Sequence, residues 1–146
     1  TAPNFPDDNI NGKEVSNTYI RVGALAPKYG SNMIAGFSNY WKNNVDIFAP
    51  GASVYSTTPE NEYKTKGGTS MAAPGVAGIA ALLRSYYPSL SAAQVKQIIM
   101  DSGLAIKTKV IVGGNSEDVR SFGDLSKSAK MANAYNAMIM AAKMAK

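Results

Sequence analysis

From Met71 to Leu83 thirteen residues carry no charge, reading MAAPGVAGIAALL. It predicts a helix that is apolar on all sides and therefore buried on all sides. The stretch is too short to cross a bilayer. Pro74 breaks a helix interior but is tolerated in a first turn, where N–H groups lack internal partners anyway. The helix is therefore expected to start close to Ser70. Gly75, Ala77, Gly78 and Ala81 keep its surface thin, so that neighbouring backbones can approach. Arg84 and Tyr86-Tyr87-Pro88 end it.

A second helix is punctuated at both ends. Ser91-Ala92-Ala93-Gln94 reads as a capping box, and Gly103 is the stop. Val95, Ile98 and Ile99 make its apolar face. Asn133 can cap a third helix with Tyr135, Met138, Ile139 and Ala142 on one face. The methionines clustered there (Met131, Met138, Met140, Met144) read as gap-filling core.

The remaining pattern is β-like. Thr18 to Leu25 predicts a strand closed by Ala26-Pro27, and Met33 to Ser38 a short one. Val45 to Phe48 is an apolar run closed by Ala49-Pro50-Gly51 and interrupted by Asp46. Ala52 to Thr57 and Glu62 to Lys66 flank Pro59 and pair as a hairpin. Lys109 to Val112 reads as a strand followed by the turn Gly113-Gly114-Asn115, while Val119 to Gly123 carries no single pattern. Residues 1–17 read as loop, with a turn at Asn11-Gly12. No internal repeat or linker divides the chain, which is expected to be one domain.

Composition narrows the chemistry by what is missing. The 146 residues include no His and no Cys. That excludes a histidine base, a zinc-thiolate site, a catalytic thiol and a disulfide within this chain. Charged residues are 17% of the total, below the roughly 25% of an average soluble chain, so small neutral residues fill the difference. The net charge of +5 admits an anionic partner, but the lysines are scattered and form no basic stripe with interleaved aromatics. A solvated surface accounts for them, and no nucleic acid is expected. The opening Thr1-Ala2-Pro3-Asn4 is neither a signal peptide nor a start Met, a pattern expected of a piece of, or a processed form of, something longer.

One segment carries chemistry. In Gly67-Gly68-Thr69-Ser70-Met71-Ala72-Ala73-Pro74-Gly75-Val76-Ala77-Gly78, two glycines permit an unusual turn and a serine then meets the start of the apolar helix. Free N–H groups and the positive dipole end converge at such a point. An oxyanion forming there meets fixed donors. The alternative for this segment is an ordinary glycine turn with Ser70 as helix N-cap. It is not the Gly-x-Ser-x-Gly elbow of α/β-hydrolases, because Ala72 stands two residues after the serine.

Gly68-Thr69-Ser70-Met71-Ala72-Ala73-Pro74, followed by Val76-Ala77-Gly78, resembles the nucleophile motif of the subtilisin-like serine proteases, the subtilases. Val22-Gly23-Ala24, Phe37-Ser38-Asn39 and Val45-Asp46-Ile47-Phe48-Ala49-Pro50-Gly51 resemble, in order and spacing, the segments that precede that motif. Ser56-Thr57 through Tyr63 resembles the hairpin leading into it, and Asn133-Ala134-Tyr135 the start of the family's C-terminal helix. The resemblance covers nearly the whole chain. It implies the C-terminal half of a doubly wound α/β fold: few parallel strands, a hairpin, a buried central helix starting at the nucleophile and two further helices. It also implies endopeptidase chemistry on polypeptide substrates. Ser70 matches the nucleophile, with its N–H part of the oxyanion hole and the Thr69 hydroxyl a supporting group there. Gly68 and Met71 line the cleft, and Tyr63 to Gly67 border its leaving-group side. Gly75 stands where the family often has a His that is not the catalytic base. No cofactor is implied, and secretion or a periplasmic location is expected from the family alone.

The departure is equally informative. The family's catalytic Asp and His and its oxyanion Asn precede the serine motif, well upstream, and this chain has no His anywhere. Asn4 and Asn9 are poor candidates for the missing Asn, because Ala2-Pro3-Asn4-Phe5-Pro6 resembles the stretch just after it. Serine without a base is a weak nucleophile. Asp46 matches a structural strand-end position, where capping or local hydrogen bonding explains it. One carboxylate is not a metal site. The chain alone is therefore expected to be inactive and to need the upstream half of the same catalytic domain as its partner. Two alternatives are a subtilase-derived peptide-binding module and a basic interaction protein, the latter predicting salt-dependent nucleic-acid binding. With half the cover missing, an exposed apolar face and self-association through it are expected.

Overall fold

The computed structural model describes residues 9–10 and 13–144. The predicted turn at Asn11-Gly12 lies outside the described residues, as does Asn4. Two short antiparallel strands, β1 (Asn9–Ile10) and β2 (Lys13–Glu14), open the described chain. Strands β3 (Val22–Leu25) and β4 (Ile47–Pro50) follow, paired in parallel with Gly23 opposite Phe48. The hairpin β5 (Val54–Thr58) and β6 (Glu62–Lys66) leads into helix α1 (Thr69–Tyr86). Helix α2 (Ala92–Ser102), strand β7 (Leu104–Ala105), the antiparallel pair β8 (Lys109–Val112) and β9 (Asn115–Ser121), a short 3₁₀ turn, strand β10 (Lys130–Met131) and helix α3 (Ala134–Met144) complete it.

The central sheet has the order β3-β4-β10-β7. β10 runs parallel to β4, with Met131 opposite Phe48, and β7 is the antiparallel edge. Alternation along β3 and β4 splits the core in two. On one side Ala24, Ile47 and Ala49 meet α1 (Ala72, Val76, Leu83), α2 (Val95, Ile98, Ile99) and α3 (Ala137, Ala141). On the other, Leu25, Val45 and Phe48 meet Met33, Ile34, Val110, Val112, Phe122 and Leu125. Each large side chain fully buried in this way contributes about 1.5–3 kcal/mol. The mixed α/β architecture with three helices and few parallel strands is the one expected.

Several local expectations need revision. The strand predicted from Thr18 is ordered only from Val22. Arg21 instead spends its carbonyl on the N–H groups of Asp46 and Ile47 and its N–H on the Asp46 carboxylate. Met33 to Ser38 is not a strand: only Ile34 bridges to Leu25, because Ser38 N–H turns back to the Ala35 carbonyl. The third helix is capped by Asn133, whose Oδ1 accepts from Asn136 N–H at 2.8 Å. Its buried positions are Ala137 and Ala141, however, and Tyr135 and Ile139 face solvent. Small residues let α3 approach the other helices, which the larger side chains would prevent. Met144 is exposed rather than core. Val119 to Ser121 belongs to β9.

Helix α1 starts at Thr69, one residue earlier than Ser70, so Pro74 falls in the second turn rather than the first. A proline there cannot donate to the Ser70 carbonyl. Pro74 and Ser70 are both exposed, so the carbonyl left without that donor lies at the surface. The helix is buried on one side only. Gly75 and Gly78 look onto open space, and Leu82 and Tyr86 are exposed along the same stripe.

Asp46 anchors the other end of β4. Its side chain is 0% exposed and accepts from Arg21 N–H (2.8 Å), Nε (3.3 Å) and Nη2 (3.1 Å), with Lys96 Nζ at 3.6 Å. Lys96 Nζ also bonds Glu14 Oε1 at 3.0 Å, and Lys127 bonds Glu14 Oε2. Hydrogen bonds from Lys127 and then Lys96 hold the Glu14 carboxyl at about 2, against an ordinary 4.5. A depressed folded-state value makes the contribution full above pH 4.5 and lost as pH falls toward 2. Protection of the Lys13–Glu14 amides, taken relative to intrinsic exchange at each pH, should therefore fall through that window in native protein and stay level in Glu14→Gln. Protection that falls equally in both proteins would assign the effect elsewhere.

Candidate active site

Ser70 owes its position to a tight backbone junction. Gly51 closes β4 and donates to the Leu25 carbonyl at 3.0 Å, and its own carbonyl accepts from Gly68 N–H at 2.8 Å. A Cβ on Gly51 would lie 2.7 Å from the Ala24 side chain, 2.9 Å from the Gly68 carbonyl oxygen and 3.0 Å from the Ala72 side chain. Only glycine lets strand end and helix start come so close. The result sets the first turn of α1 over the C-terminal ends of two parallel strands, the place where open α/β sheets bind ligands.

At that junction the residue preceding the helix is Gly68, which has no side chain to cap it. Ser70 is the second helical residue and is exposed. The alternative of Ser70 as an N-cap is thereby overturned: its hydroxyl is not used in capping. Met71 N–H returns to the Gly68 carbonyl at 3.0 Å, while the N–H groups just before it are those a helix leaves without internal partners. Thr69 is the first helical residue. Met71 is half-buried and its sulfur lies 3.4 Å from where a Gly68 side chain would begin. The four residues singled out from the sequence thus form one turn.

A cleft of about 210 Å³ opens beside this turn, between the β5–β6 hairpin and α1. Val54, Thr57, Lys64, Lys66, Met71 and Pro74 line it with Ser70. Lys64 is paired to Glu62, and no hydrogen bond joins either lysine to the Ser70 hydroxyl. Asp46 is held by Arg21 and Lys96 at the opposite end of β4, so it does not reach Ser70. Among the described residues the first turn of α1 supplies a serine and backbone donors, but the cleft lining includes no carboxylate and no imidazole to take the serine's proton.

One side chain at the site was not legible in the sequence, and one stood there only as part of the segment Tyr63 to Gly67. Phe37 is 54% exposed, and its ring edge lies 3.6 Å from where a side chain on Gly67 would begin. Lys66 shares the Ser70 cleft. The alternation of β6 puts Lys64 and Lys66 on one face, which the hairpin prediction contained. Nothing in the sequence signals that Phe37 stays uncovered.

The surroundings of Ser70 can be set beside known proteins. The model of the subtilase family (Peptidase_S8) matches residues 6–137. Subtilisin DY of Bacillus licheniformis is 60% identical over 80 residues, covering 55% of this chain and 28% of that protein. Subtilisin-like protease 1 of Plasmodium falciparum is 40% identical over 90 residues, covering 60% of this chain and 13% of its own length. A cold-adapted subtilisin-like serine proteinase superposes with a TM-score of 0.59 at 30% identity, over 80% of this chain and 38% of that one. The structure of the subtilase cytotoxin SubAB assembly gives a TM-score of 0.65 at 26% identity, over 86% of this chain and 37% of that one. The chain thus spans well under half the length of these relatives. With its Gly-Thr-Ser turn on a helix start above parallel strands, and a family match over most of its length, this chain belongs to the subtilase family of serine peptidases.

Proposed function

We propose that these 146 residues form a single partial domain, the C-terminal part of a subtilisin-like serine endopeptidase, with Ser70 as its nucleophile. The observation that carries this reading is the free, exposed Ser70 hydroxyl on the first turn of α1. The Ser70 N–H supplies one oxyanion donor and Thr69 a supporting group, while Gly68 and Met71 shape the cleft wall. The base, its orienting carboxylate and the second oxyanion donor come from the upstream half of the catalytic domain. Substrates are polypeptides. The family resemblance points to secretion or a periplasmic location. Among the described residues no helix is long and apolar enough to cross a membrane.

The test is complementation. The pure chain should not turn over casein or a peptide ester. Supplying the upstream half of a subtilase domain, fused or in trans, should restore turnover that depends on Ser70. Turnover by the pure chain, lost in Ser70→Ala, would show an activator within it; failure of every complemented form would favour the binding-module reading.

The open stripe of α1 (Gly75, Gly78, Leu82, Tyr86) supports the same reading, because an apolar helix face without cover is the face a missing half would occupy. Without that half, sedimentation velocity should show concentration-dependent self-association that Leu82→Glu reduces. A monomer at all concentrations, binding no hydrophobic dye, would mean that the face needs no cover.

A further inference from the structure

The β8–β9 hairpin has no role in the reading given so far. Its two-residue turn, Gly113-Gly114, has φ of +60° and +69°, the backbone that fits a tight twisted hairpin. The tip rests on the segment before Phe37: a side chain on Gly36 would begin 3.3 Å from the Gly114 Cα. Phe37 in turn reaches Gly67, the residue leading into the Ser70 turn. Hairpin tip, Phe37 and nucleophile loop thus form one continuous wall. The hairpin is held firmly at its base. Val110 and Val112 are buried, and Ile111 N–H bonds the Ser31 carbonyl at 2.8 Å. The Arg120 guanidinium, gripped by Asp118, lies 4.4 Å from the Trp41 ring centre and 5.5 Å from that of Tyr40. The tip residues 113–117 are all exposed. Among them Glu117 makes no ion pair among the described residues, its N–H bonding Asn115 Oδ1 at 3.0 Å.

We infer that the hairpin tip is an outer subsite for the polypeptide on the leaving-group side of the scissile bond, and that Glu117 makes it select basic residues there. The inference rests on the peptidase reading of Ser70 and on Gly67 bordering the leaving-group side. A substrate strand leaving Ser70 past Gly67 and Phe37 runs next along the tip. An acidic, unpaired side chain at that point favours Lys or Arg several residues beyond the cut.

The experiment uses the complemented enzyme and two fluorogenic peptide series. One carries Lys, Gly or Glu at the third to fifth leaving-group positions; the other ends at the first leaving-group residue. In kcat/KM the Lys peptide should exceed the Glu peptide by about two- to fivefold, the size of one exposed charge contact. Glu117→Lys should reverse that order and leave the short series unchanged. An order that is the same in both proteins overturns the subsite. Equal effects on the long and short series make Glu117 a general influence on the fold rather than a contact. Absence of cleavage with Ser70 intact overturns the peptidase reading and this inference with it.

Discussion

Ser70→Ala in the complemented enzyme should lower kcat by on the order of 10⁶, leaving only the residual catalysis of binding and oxyanion stabilisation. Thr69→Ala should cost far less, at most about 10²–10³, because it removes a supporting group and leaves the attacking one. Both magnitudes come from subtilisins themselves and are carried to this chain by the family it belongs to. The ordering follows from the roles proposed above for the two residues, with which their exposure agrees. Ser70 is exposed with its hydroxyl free of capping, whereas Thr69 is the half-buried first residue of α1. Single-turnover kinetics with an activated ester would separate the two, since acylation requires Ser70. If Thr69→Ala is as damaging as Ser70→Ala, or if Ser70→Ala retains acylation, the assignment of roles on this turn is wrong.

The second large effect is on stability. Asp46→Ala should destabilise the complemented protein by about 3–5 kcal/mol, since it leaves buried cations without their carboxylate. The Arg21 and Lys96 side chains are 4% and 6% exposed beside a carboxylate at 0%, so water cannot replace it cheaply. A loss of this size is a large share of the roughly 5–15 kcal/mol that holds a domain folded. Replacing the pair together, Arg21→Met with Asp46→Leu, should be much milder, because no unpaired charge is then buried and Lys96 keeps Glu14. Urea denaturation reads both. A single substitution costing under about 0.5 kcal/mol, or a double one costing more than the single, would remove Asp46 from the frame of the fold.

Much of the site was legible because it is local. The Gly-Thr-Ser turn, the start of α1 and the capping box Ser91–Gln94 are set by residues a few positions apart, and the structure forms each of them. What sequence could not give were pairings across distance. Asp46 read as a strand-end residue, and a structural role is what it has. Its partners Arg21 and Lys96 are brought to it by β3 and α2. Phe37 became part of the site only because its segment folds back toward Gly67. The third helix misled in part for a related reason: of the periodic face Tyr135, Met138 and Ile139, Met138 does pack half-buried against the core, but the fully buried positions go to the alanines and Tyr135 and Ile139 stay in solvent. Pro74 was placed one turn too early because the helix gains Thr69 at its start.

The position of β10 between β4 and β7 has a consequence for how the chain is made. During synthesis the helix carrying Ser70 emerges long before residues 130–131, yet the sheet beneath that helix is incomplete until they slot beside Phe48. At about 5–20 residues per second, the interval is on the order of ten seconds. Throughout it the growing chain holds β4 with one bare hydrogen-bonding edge, a template for a neighbouring strand. The strand that closes the sheet is therefore made after every other strand of it, and a nascent chain stalled or cut before Lys130 presents an open edge.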